Sequence, residues 1–573
     1  MNRLSLVASA LLLPAILGAQ DAPKPQSVPA APATSLPVKL VAKPTSAEIS
    51  AQDLMSRLYV FADDSMMGRE AGTLGSVKAT EYLAAEAKRI GLKPAGDNGT
   101  YFQTLPVKSR RVDPMSSMIL GAASLKLGKD FAIGGQMTLN KENVETIYGG
   151  TYGDSASRLT PEQANGRLVL LMVPLSNEAI NNAVQDTRPL APPTAAGVAL
   201  FMPSQVMPQL SGYLHRPDIT VVDGPLEPLR LFLNGGIASL LFTKSLNDLA
   251  VGDVGAKMAI NAIVTMADSP FPARNVVGIL PGSDPKLKEQ YVAVGAHSDH
   301  VGMSPRPVDH DSLLVFNRIV RPGGAEDEQK EATADEVKQV NTELAALRAN
   351  SVPRADSIFN GADDDGSGSM SVLEIAEYFA SLKVKPKRST LFVWHVGEEK
   401  GLWGSHYFTE HPTVPRDSIV AQLNVDMIGR GAASDVTGVS GDGKELRGGP
   451  DYLQLVGSRR LSTELGDLVE RVNTSKGHNF TFDYSMDSNG HPMNIYCRSD
   501  HYEYAKWNIP VSFFTTGGHS SYHQLTDEPQ YIDYAHLTRV AKLVGDIAFE
   551  VGNLPKRPLM DGKRMDPRGV CKQ

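Results

Sequence analysis

Four continuous apolar runs place the strongest constraint on the fold of this chain. The runs occupy residues 276–280, 291–295, 390–394 and 509–514, and helix-prone stretches such as residues 370–382 lie between them. An apolar run without alternating polar positions is typical of a strand that is buried on both faces. We therefore expect an α/β fold with a mixed, mostly parallel central sheet flanked by helices. In such sheets, functional groups gather at the carboxyl ends of the strands.

The N-terminal residues have the pattern of an export signal. Arg3 precedes an apolar run, residues 4–17, and the small residues Gly18 and Ala19 follow it. The run is shorter than the roughly 20 residues of a membrane-spanning helix, so we interpret residues 1–19 as a cleaved signal peptide. This interpretation predicts a secreted or periplasmic protein with no membrane span after signal removal.

Composition divides the rest of the chain into several segments. Residues 20–45 are rich in Ala, Pro and Lys and are expected to form a flexible linker. Short apolar runs at residues 167–173 and 238–242, separated by Pro- and Gly-rich turns, predict a small β-rich inserted domain. The expected boundaries are 46–139 for the N-terminal part of the main domain, 140–270 for the β-rich insert, 271–304 and 359–552 for the catalytic domain, 305–358 for a charged helical insertion and 553–573 for a C-terminal tail.

The charge balance and the cysteine content exclude some functional classes. The formal net charge is -8 at pH 7, whereas a surface that binds phosphates needs an excess of basic residues, so we expect no nucleic-acid partner. The two cysteines, Cys497 and Cys571, allow at most one disulfide and no cysteine-based metal cluster. The sequence leaves the oligomeric state open.

Five short segments bring acidic and imidazole side chains close to the ends of apolar runs. They contain His297, Asp364, the pair Glu398 and Glu399, Asp426, and His523. Adjacent carboxylates directly after a buried strand repel one another and are costly to desolvate. A divalent cation relieves both problems, and nitrogen and carboxylate ligands without thiolate suit zinc or a neighbouring divalent metal. These segments therefore predict a metal site.

The order and the flanks of these segments resemble the M28 family of zinc aminopeptidases. The matching blocks are residues 295–299, 361–365, 397–401, 424–429 and 522–523, with similar N-terminal segments at 67–73 and 99–103. The resemblance covers roughly residues 50 to 135 and 271 to 550. The β-rich insert resembles a protease-associated (PA) domain on the weaker evidence of residues 166–174 and 235–242.

The resemblance implies a zinc-peptidase fold and a site with two zinc ions per chain. It implies that His297 and Asp426 hold one zinc, that Glu399 and His523 hold the other, and that Asp364 bridges the two. By the same resemblance, Glu398 is the general base, Asp299 orients the His297 imidazole, and Tyr522 either donates a hydrogen bond to the oxyanion or is a packed aromatic residue. Nearby residues left without a ligand role are His300, His395, Asp500, His501 and His519.

The implied function is that of an exported dinuclear zinc aminopeptidase, whose partners are peptides with a free N-terminus. A free amine needs acidic groups near the metals, and Asp299, Glu398 and Asp426 supply them. The chain departs from the family pattern in the long insertion, residues 305–358, between the first histidine and the bridging aspartate. We expect this insertion to shape or cover the substrate cleft.

Other functions remain open at this stage. A carboxypeptidase of the same family would need a cation for the substrate's carboxylate, and Arg430 and Arg498 are candidates. A single-zinc glutaminyl cyclase and a non-catalytic receptor-like module share the fold. A calcium-binding loop of the EF-hand type is suggested by the spacing of Asp363, Asp365, Ser367, Gly368 and Glu374.

Overall fold

A computed structural model describes residues 36–154, 159–186, 190–349, 352–569, 571 and 573. The predicted signal peptide, residues 1–19, lies outside the described residues. The described chain forms two compact units. One comprises residues 36–105 with Phe271–Gln573, and the other comprises Pro106–Pro270.

The helices and strands follow one another along both units. The α-helices are, in chain order, α1 (Ala51–Phe61), α2 (Leu74–Ile90), α3 (Pro161–Ala164), α4 (Asn177–Gln185), α5 (Met207–Leu214), α6 (Ala238–Leu241), α7 (His310–Val320), α8 (Ala334–Arg348), α9 (Gly368–Ser381), α10 (Trp403–Glu410), α11 (Thr463–Ser475), α12 (His501–Ala505) and α13 (Tyr534–Asn553). The strands are β1 (Lys93–Pro94), β2 (Phe102–Thr104), β3 (Val107–Val112), β4 (Ser117–Leu120), β5 (Ala123–Leu125), β6 (Phe131–Gly134), β7 (Leu139–Thr151), β8 (Leu168–Met172), β9 (Gly197–Met202), β10 (Asp218–Val221), β11 (Arg230–Asn234), β12 (Val254–Ala262), β13 (Val264–Asp268), β14 (Arg274–Leu280), β15 (Tyr291–His297), β16 (Met303–Asp309), β17 (Ala355–Ile358), β18 (Ser389–His395), β19 (Ile419–Val425), β20 (Val436–Val439), β21 (Glu445–Arg447), β22 (Tyr452–Val456), β23 (Thr481–Asp483) and β24 (Val511–Thr515).

The first unit is built on one mixed sheet. Its strand order is β1-β14-β18-β15-β19-β24-β22-β23, and β2 also pairs with β14. The four middle strands, β18, β15, β19 and β24, are parallel, whereas β14 and β22 run antiparallel to their neighbours β18 and β24. The predicted α/β class with a mixed sheet is confirmed, and the parallel part of the sheet is its centre.

Helices cover both faces of the middle strands. Along β15, Val292 and Val294 point into a core shared with α1, α2, α9 and α13. Their neighbour Ala293 points into a second core that contains Phe408 of α10 and Tyr504 of α12. Burial on both faces explains why these strands read as continuous apolar runs. Among the described helices, none combines the length and the apolar character needed to cross a bilayer.

The second unit consists mostly of strands. Its larger sheet has the order β5-β4-β12-β7-β8-β9-β11-β6, and β10-β3-β13 forms a smaller one. The unit begins at Pro106, whereas the sequence led us to expect a boundary at residue 140. The difference arises because β3, β4 and β6 pair with β13, β12 and β11, which come more than 90 residues later in the chain.

One predicted strand of this unit is a helix. Residues 238–242, expected to be strand-like, contain the short helix α6. Asn234 accepts the Gly236 N–H at 3.0 Å and starts a helical turn. Ala238 and Leu241 are then buried, while Leu240 is 56% exposed. This spacing of three residues follows a helical face and not the alternation of a strand.

The expected linker and tail are partly packed against the first unit. Leu36 and Leu40, within the predicted linker 20–45, contact its core, and Thr45 donates to Glu377 at 2.8 Å. The tail 553–573 is held by the disulfide between Cys497 and Cys571. Proximity to a hydrophobic surface, which composition does not reveal, orders these segments.

The charged insertion is closed at its base by two paired strands. Strands β16 and β17 pair antiparallel, so the chain leaves and returns at neighbouring positions. Between them lie α7, which buries residues such as Leu314 and Val315, and α8, which has no buried side chain among its described residues. The insertion is therefore anchored through α7, and α8 is a solvated helix.

Loss of the disulfide is expected to destabilise the first unit. Cys571→Ser would free a loop closed over a sequence separation of 74, and loop-closure entropy of that size contributes roughly 4 kcal/mol. The expected result is a lower midpoint of urea unfolding, measured by circular dichroism against the wild type. Cys497→Ser should give the same shift. Equal midpoints for wild type and both variants would contradict the contribution of this bond.

Candidate metal centre

The parallel strands bring the predicted site residues to one edge of the sheet. His297 is the last residue of β15, Glu398 and Glu399 follow β18, and Asp426 follows β19. His523 lies in the loop after β24. Because these strands are adjacent and parallel, their carboxyl ends meet, as the sequence predicted.

Asp364 lies between two groups of side chains. Its Oδ1 is 3.1 Å from His297 Nε2, and His297 Nε2 is also 3.6 Å from Asp426 Oδ1. Its Oδ2 is 3.0 Å from His523 Nε2, which lies 2.9 Å from Glu399 Oε2. The two oxygens of one carboxylate thus face two separate histidine–carboxylate pairs.

Two further residues complete these groups. His300 Nδ1 lies 2.7 Å from Glu399 Oε1, so His300 joins the group around His523. Asp365 joins the group around His297, but its oxygens accept the backbone N–H of His297, Gly368 and Met427 at 3.1, 2.9 and 3.2 Å. We conclude that Asp365 ties the ligand segments together, whereas His300 orients the Glu399 carboxylate.

Asp299 contacts both His297 and the segment of Glu398. Its backbone carbonyl lies 3.1 Å from His297 Nδ1, and its carboxylate is farther away at 3.7 Å. The carboxylate instead accepts the Glu398 N–H at 3.1 Å. The sequence assigned Asp299 to the imidazole through its side chain, but here the main chain is nearer and the side chain positions Glu398.

Electrostatics at this edge are dominated by buried carboxylates. Burial raises the pKa of Glu398 well above its ordinary value, and Glu399 and Asp426 raise it further. Burial opposes the charge of His297, yet Asp426 and Asp364 raise the pKa of this imidazole above its usual range. Neighbouring carboxylates contribute to both shifts, because their negative charge favours any added positive charge.

The donor set fits divalent metal ions. Among the described residues, Asp364 Oδ2 and His300 Nε2 are buried without a well-directed hydrogen-bond partner, and unsatisfied buried polar atoms of this kind are rare in native proteins. Imidazole nitrogens and carboxylate oxygens are ligands that zinc accepts. A cation beside Asp364 Oδ2 would satisfy that oxygen, and a cation in each group would offset the repulsion between the carboxylates.

A second layer of polar contacts holds the Asp364 segment. The Asp527 carboxylate accepts the backbone N–H of Asp363 at 3.0 Å and that of Asp364 at 3.1 Å. His519 Nε2 is 3.2 Å from Asp363 Oδ2. These contacts fix the backbone from which the central carboxylate projects.

Arg69 joins the loops that carry His297 and Asp364. It is fully buried, and its guanidinium donates to the carbonyls of Ser298, Asn360 and Gly361. Burial lowers its pKa to about 10, although Asp364 counteracts the effect, so the group is cationic at neutral pH. It also stacks over the Phe61 ring, 4.5 Å from the centroid.

Tyr522 and Arg498 lie beside the two histidine groups. The Tyr522 ring stacks on the His523 imidazole with 4.1 Å between centroids. Burial raises the pKa of Tyr522 well above its ordinary value, so its hydroxyl remains protonated at neutral pH. Arg498 pairs with Glu326 of the insertion, and its neighbour Ser499 donates to Asp426 Oδ2 at 2.7 Å.

The calcium-loop alternative is contradicted by the helix boundaries. An EF-hand loop would extend from Asp363 to Glu374, but α9 begins at Gly368 and places the second half of that span in a helix. Glu374 forms a buried ion pair with Arg57 at 2.5 Å. It therefore points away from the acidic segment that it would have to join.

Sequence reasoning missed several residues of this site. Arg69 lies in segment 67–73, which resembles the N-terminal region of the family. The sequence did not show which backbone carbonyls Arg69 contacts. His300 lies in the same short motif as His297. Its position close to a predicted ligand was the signal that could have identified it as a site residue. Nothing in the sequence indicated that Glu326 belongs to this site, because its partner Arg498 is 172 positions away along the chain.

In comparisons with known proteins, the family match includes the part of the chain that contains the site. Residues 275–548 match the sequence model of Peptidase family M28. The probable leucine aminopeptidase of Arthroderma benhamiae is 31% identical over 139 residues, which are 24% of this chain and 36% of that one. Leucine aminopeptidase 1 of Aspergillus fumigatus is 29% identical over 205 residues, 34% of this chain and 47% of that one. The chain thus spans less than half the length of these two curated relatives. A solved aminopeptidase from Aneurinibacillus sp. strain AM-1 has a TM-score of 0.44 and 15% identity, covering 90% of this chain and 97% of that chain.

Removal of the Arg69 guanidinium is expected to loosen the metal centre. In Arg69→Met, the carbonyls near both His297 and Asp364 lose a buried donor, which costs about 3 kcal/mol or more. We expect a lower unfolding temperature and a lower metal content per chain, measured by scanning calorimetry and by mass spectrometry.

The matched control for this prediction is Arg57→Met. Arg57 is also buried and charged, but it pairs with Glu374, Glu377 and Glu86, none of which is an assigned metal ligand. This variant should lose stability and keep its metal content when folded. A folded Arg69→Met variant with the metal content of the wild type would refute the role given to Arg69.

Proposed function

Because residues 275–548 match the sequence model of Peptidase family M28, we propose that this chain is an exported dinuclear zinc aminopeptidase that acts on peptides with a free N-terminus. The observation that carries the proposal is the position of Asp364. Its two oxygens lie 3.1 Å from His297 and 3.0 Å from His523. A carboxylate that faces two ligand groups is the arrangement that a bridged pair of metal ions requires.

The ligand assignment follows from this arrangement. His297 and Asp426 would hold one zinc ion, Glu399 and His523 the other, and Asp364 would bridge them. Zinc, when bound, polarises the scissile carbonyl and makes water a stronger nucleophile. His300 supports the second group by its contact with Glu399.

Glu398 is the proposed general base. Its raised pKa keeps the carboxylate basic enough to accept the proton of the attacking water. It then passes this proton to the leaving amine as the peptide bond breaks. Asp299 accepts the Glu398 N–H and so fixes the backbone from which the base acts.

Tyr522 is the proposed partner of the oxyanion. Its hydroxyl remains protonated because burial raises its pKa. A protonated phenol can donate a hydrogen bond to the negative charge that develops on the carbonyl oxygen. Stacking on His523 restricts the ring to this side of the cleft.

The charges favour recognition of an amine over recognition of a carboxylate. The carboxylates outnumber the histidines around the centre, so an ammonium group is attracted. The two cations that a carboxypeptidase could have used are both accompanied by acids: Arg498 pairs with Glu326, and Arg430 lies 3.9 Å from Asp435. These pairings support the aminopeptidase over the carboxypeptidase alternative.

Export is also part of the proposal. The disulfide between Cys497 and Cys571 supports it, because structural disulfides persist in oxidising compartments outside the cytosol. It agrees with the interpretation of residues 1–19 as a signal peptide.

The proposal is tested by metal content and activity in three proteins. We expect the chain from residue 20 to bind two zinc ions and to release leucine from a leucyl peptide, but not from its N-acetylated form. Asp364→Ala should lose metal and activity together. Glu398→Ala should keep the metal and lose activity by about 100-fold or more, the usual contribution of a general base.

Three outcomes would each contradict a part of this proposal. Equal cleavage of the free and the N-acetylated peptide would exclude an aminopeptidase that recognises the amine. A single zinc ion per wild-type chain, unaffected by Asp364→Ala, would exclude the bridged pair. Loss of metal in Glu398→Ala would show that Glu398 is a ligand and not the base.

A further inference from the structure

The insertion, residues 305–358, reaches the residues beside the metal centre through its middle. The Ala325 N–H donates to the Tyr522 carbonyl at 3.1 Å. Gly324 has φ +62°, and a Cβ at this position would lie 2.7 Å from the Tyr522 carbonyl oxygen and 2.8 Å from that of His519. Backbone thus packs directly on backbone, and glycine is needed for the approach.

The next residue, Glu326, carries a carboxylate to Arg498. The two side chains form a hydrogen-bonded ion pair. Arg498 also lies within electrostatic range of Tyr522 and of Glu398, the proposed base. The insertion therefore supplies the acid that accompanies a cation beside the reacting groups.

An arginine in this position could bind a carboxylate of the substrate. The guanidinium presents several donors in a planar fork that matches carboxylate geometry. In a dipeptide, and in any substrate of a carboxypeptidase, a free carboxylate belongs to the residue directly after the scissile bond. That carboxylate would meet Arg498, because Arg498 lies near the base that acts on this bond.

We propose that Glu326 is a specificity-determining residue, which occupies Arg498 and disfavours substrates with a free carboxylate on the residue directly after the scissile bond. The proposal rests on the proposed aminopeptidase function and narrows its substrate class to longer or amidated peptides. Two effects act together. Glu326 uses donors of Arg498 that the substrate would need, and its own charge repels an incoming carboxylate.

The test compares two substrates that differ in one group. Leucyl-glycine has the free carboxylate, and leucyl-glycinamide has a neutral amide in its place. In the zinc-loaded wild type, we expect kcat/KM to be lower for the dipeptide than for the amide. In Glu326→Gln, the ratio of dipeptide to amide should rise about 10-fold, mainly through KM, because one charge-assisted contact becomes available.

Two further variants separate this effect from a structural one. Glu343→Gln alters another Glu–Arg pair of the insertion, between Glu343 and Arg318, which is exposed to solvent. It should leave the ratio unchanged. Adding Arg498→Met to Glu326→Gln should abolish the rise. An unchanged ratio in Glu326→Gln, an equal rise in Glu343→Gln, or a rise that persists without Arg498 would each overturn the proposal.

A different result would show that the proposed aminopeptidase function is wrong while the inference about Glu326 can still be tested. If the wild type hydrolyses neither compound, the aminopeptidase assignment fails, and binding still tests the inference. Calorimetric titration of the zinc-loaded wild type and Glu326→Gln with both compounds gives the ratio of their Kd values. Glu326→Gln should strengthen binding of leucyl-glycine relative to leucyl-glycinamide about 10-fold. Equal changes for the two compounds would overturn the inference.

Discussion

Buried carboxylates repel one another at the carboxyl edge of the sheet, and the contacts around the centre compensate for this repulsion. Asp364 and Glu399 lie within 4.8 Å of each other and of two histidines, and Asp426 lies within that distance of Asp365 and His297. Without compensating charge, such a cluster is costly to fold, because each carboxylate loses hydration and faces others of the same sign. Divalent cations would remove that cost, so metal binding at this centre would stabilise the first unit. Arg69 contributes a buried positive charge that interacts with Asp364.

Precision at the centre comes from residues that bind the backbone of the ligand segments. Asp365 accepts N–H groups from the segments of His297 and Asp426, while Asp527 accepts those of Asp363 and Asp364. Each of these carboxylates joins segments that are far apart in sequence. The strands determine which edge holds the site, and these contacts determine where each ligand atom lies.

The sequence predicted the parts of this arrangement that follow from local pattern. Runs such as residues 291–295 lie within β15, and the blocks after the strands meet at one edge. The pairing of Arg69 with the loops that carry His297 and Asp364, and of Glu326 with Arg498, depends on loop conformation over more than 170 residues, which no periodicity records. A short apolar run is also ambiguous between strand and helix, as residues 238–242 show.

The insertion is attached to the segment that carries His523. Its contacts with this segment include Ala325 to the Tyr522 carbonyl at 3.1 Å, Asn317 to Gln524 at 3.1 Å and His310 to Glu528 at 3.0 Å, and Arg354 also pairs with Glu528. Opening it as a lid would break these contacts together and leave the buried Glu528 with less compensation from His310. Because the same segment carries a proposed metal ligand, movement of the insertion would disturb the centre itself. An insertion attached in this way is expected to act by shaping the cleft and setting its charge.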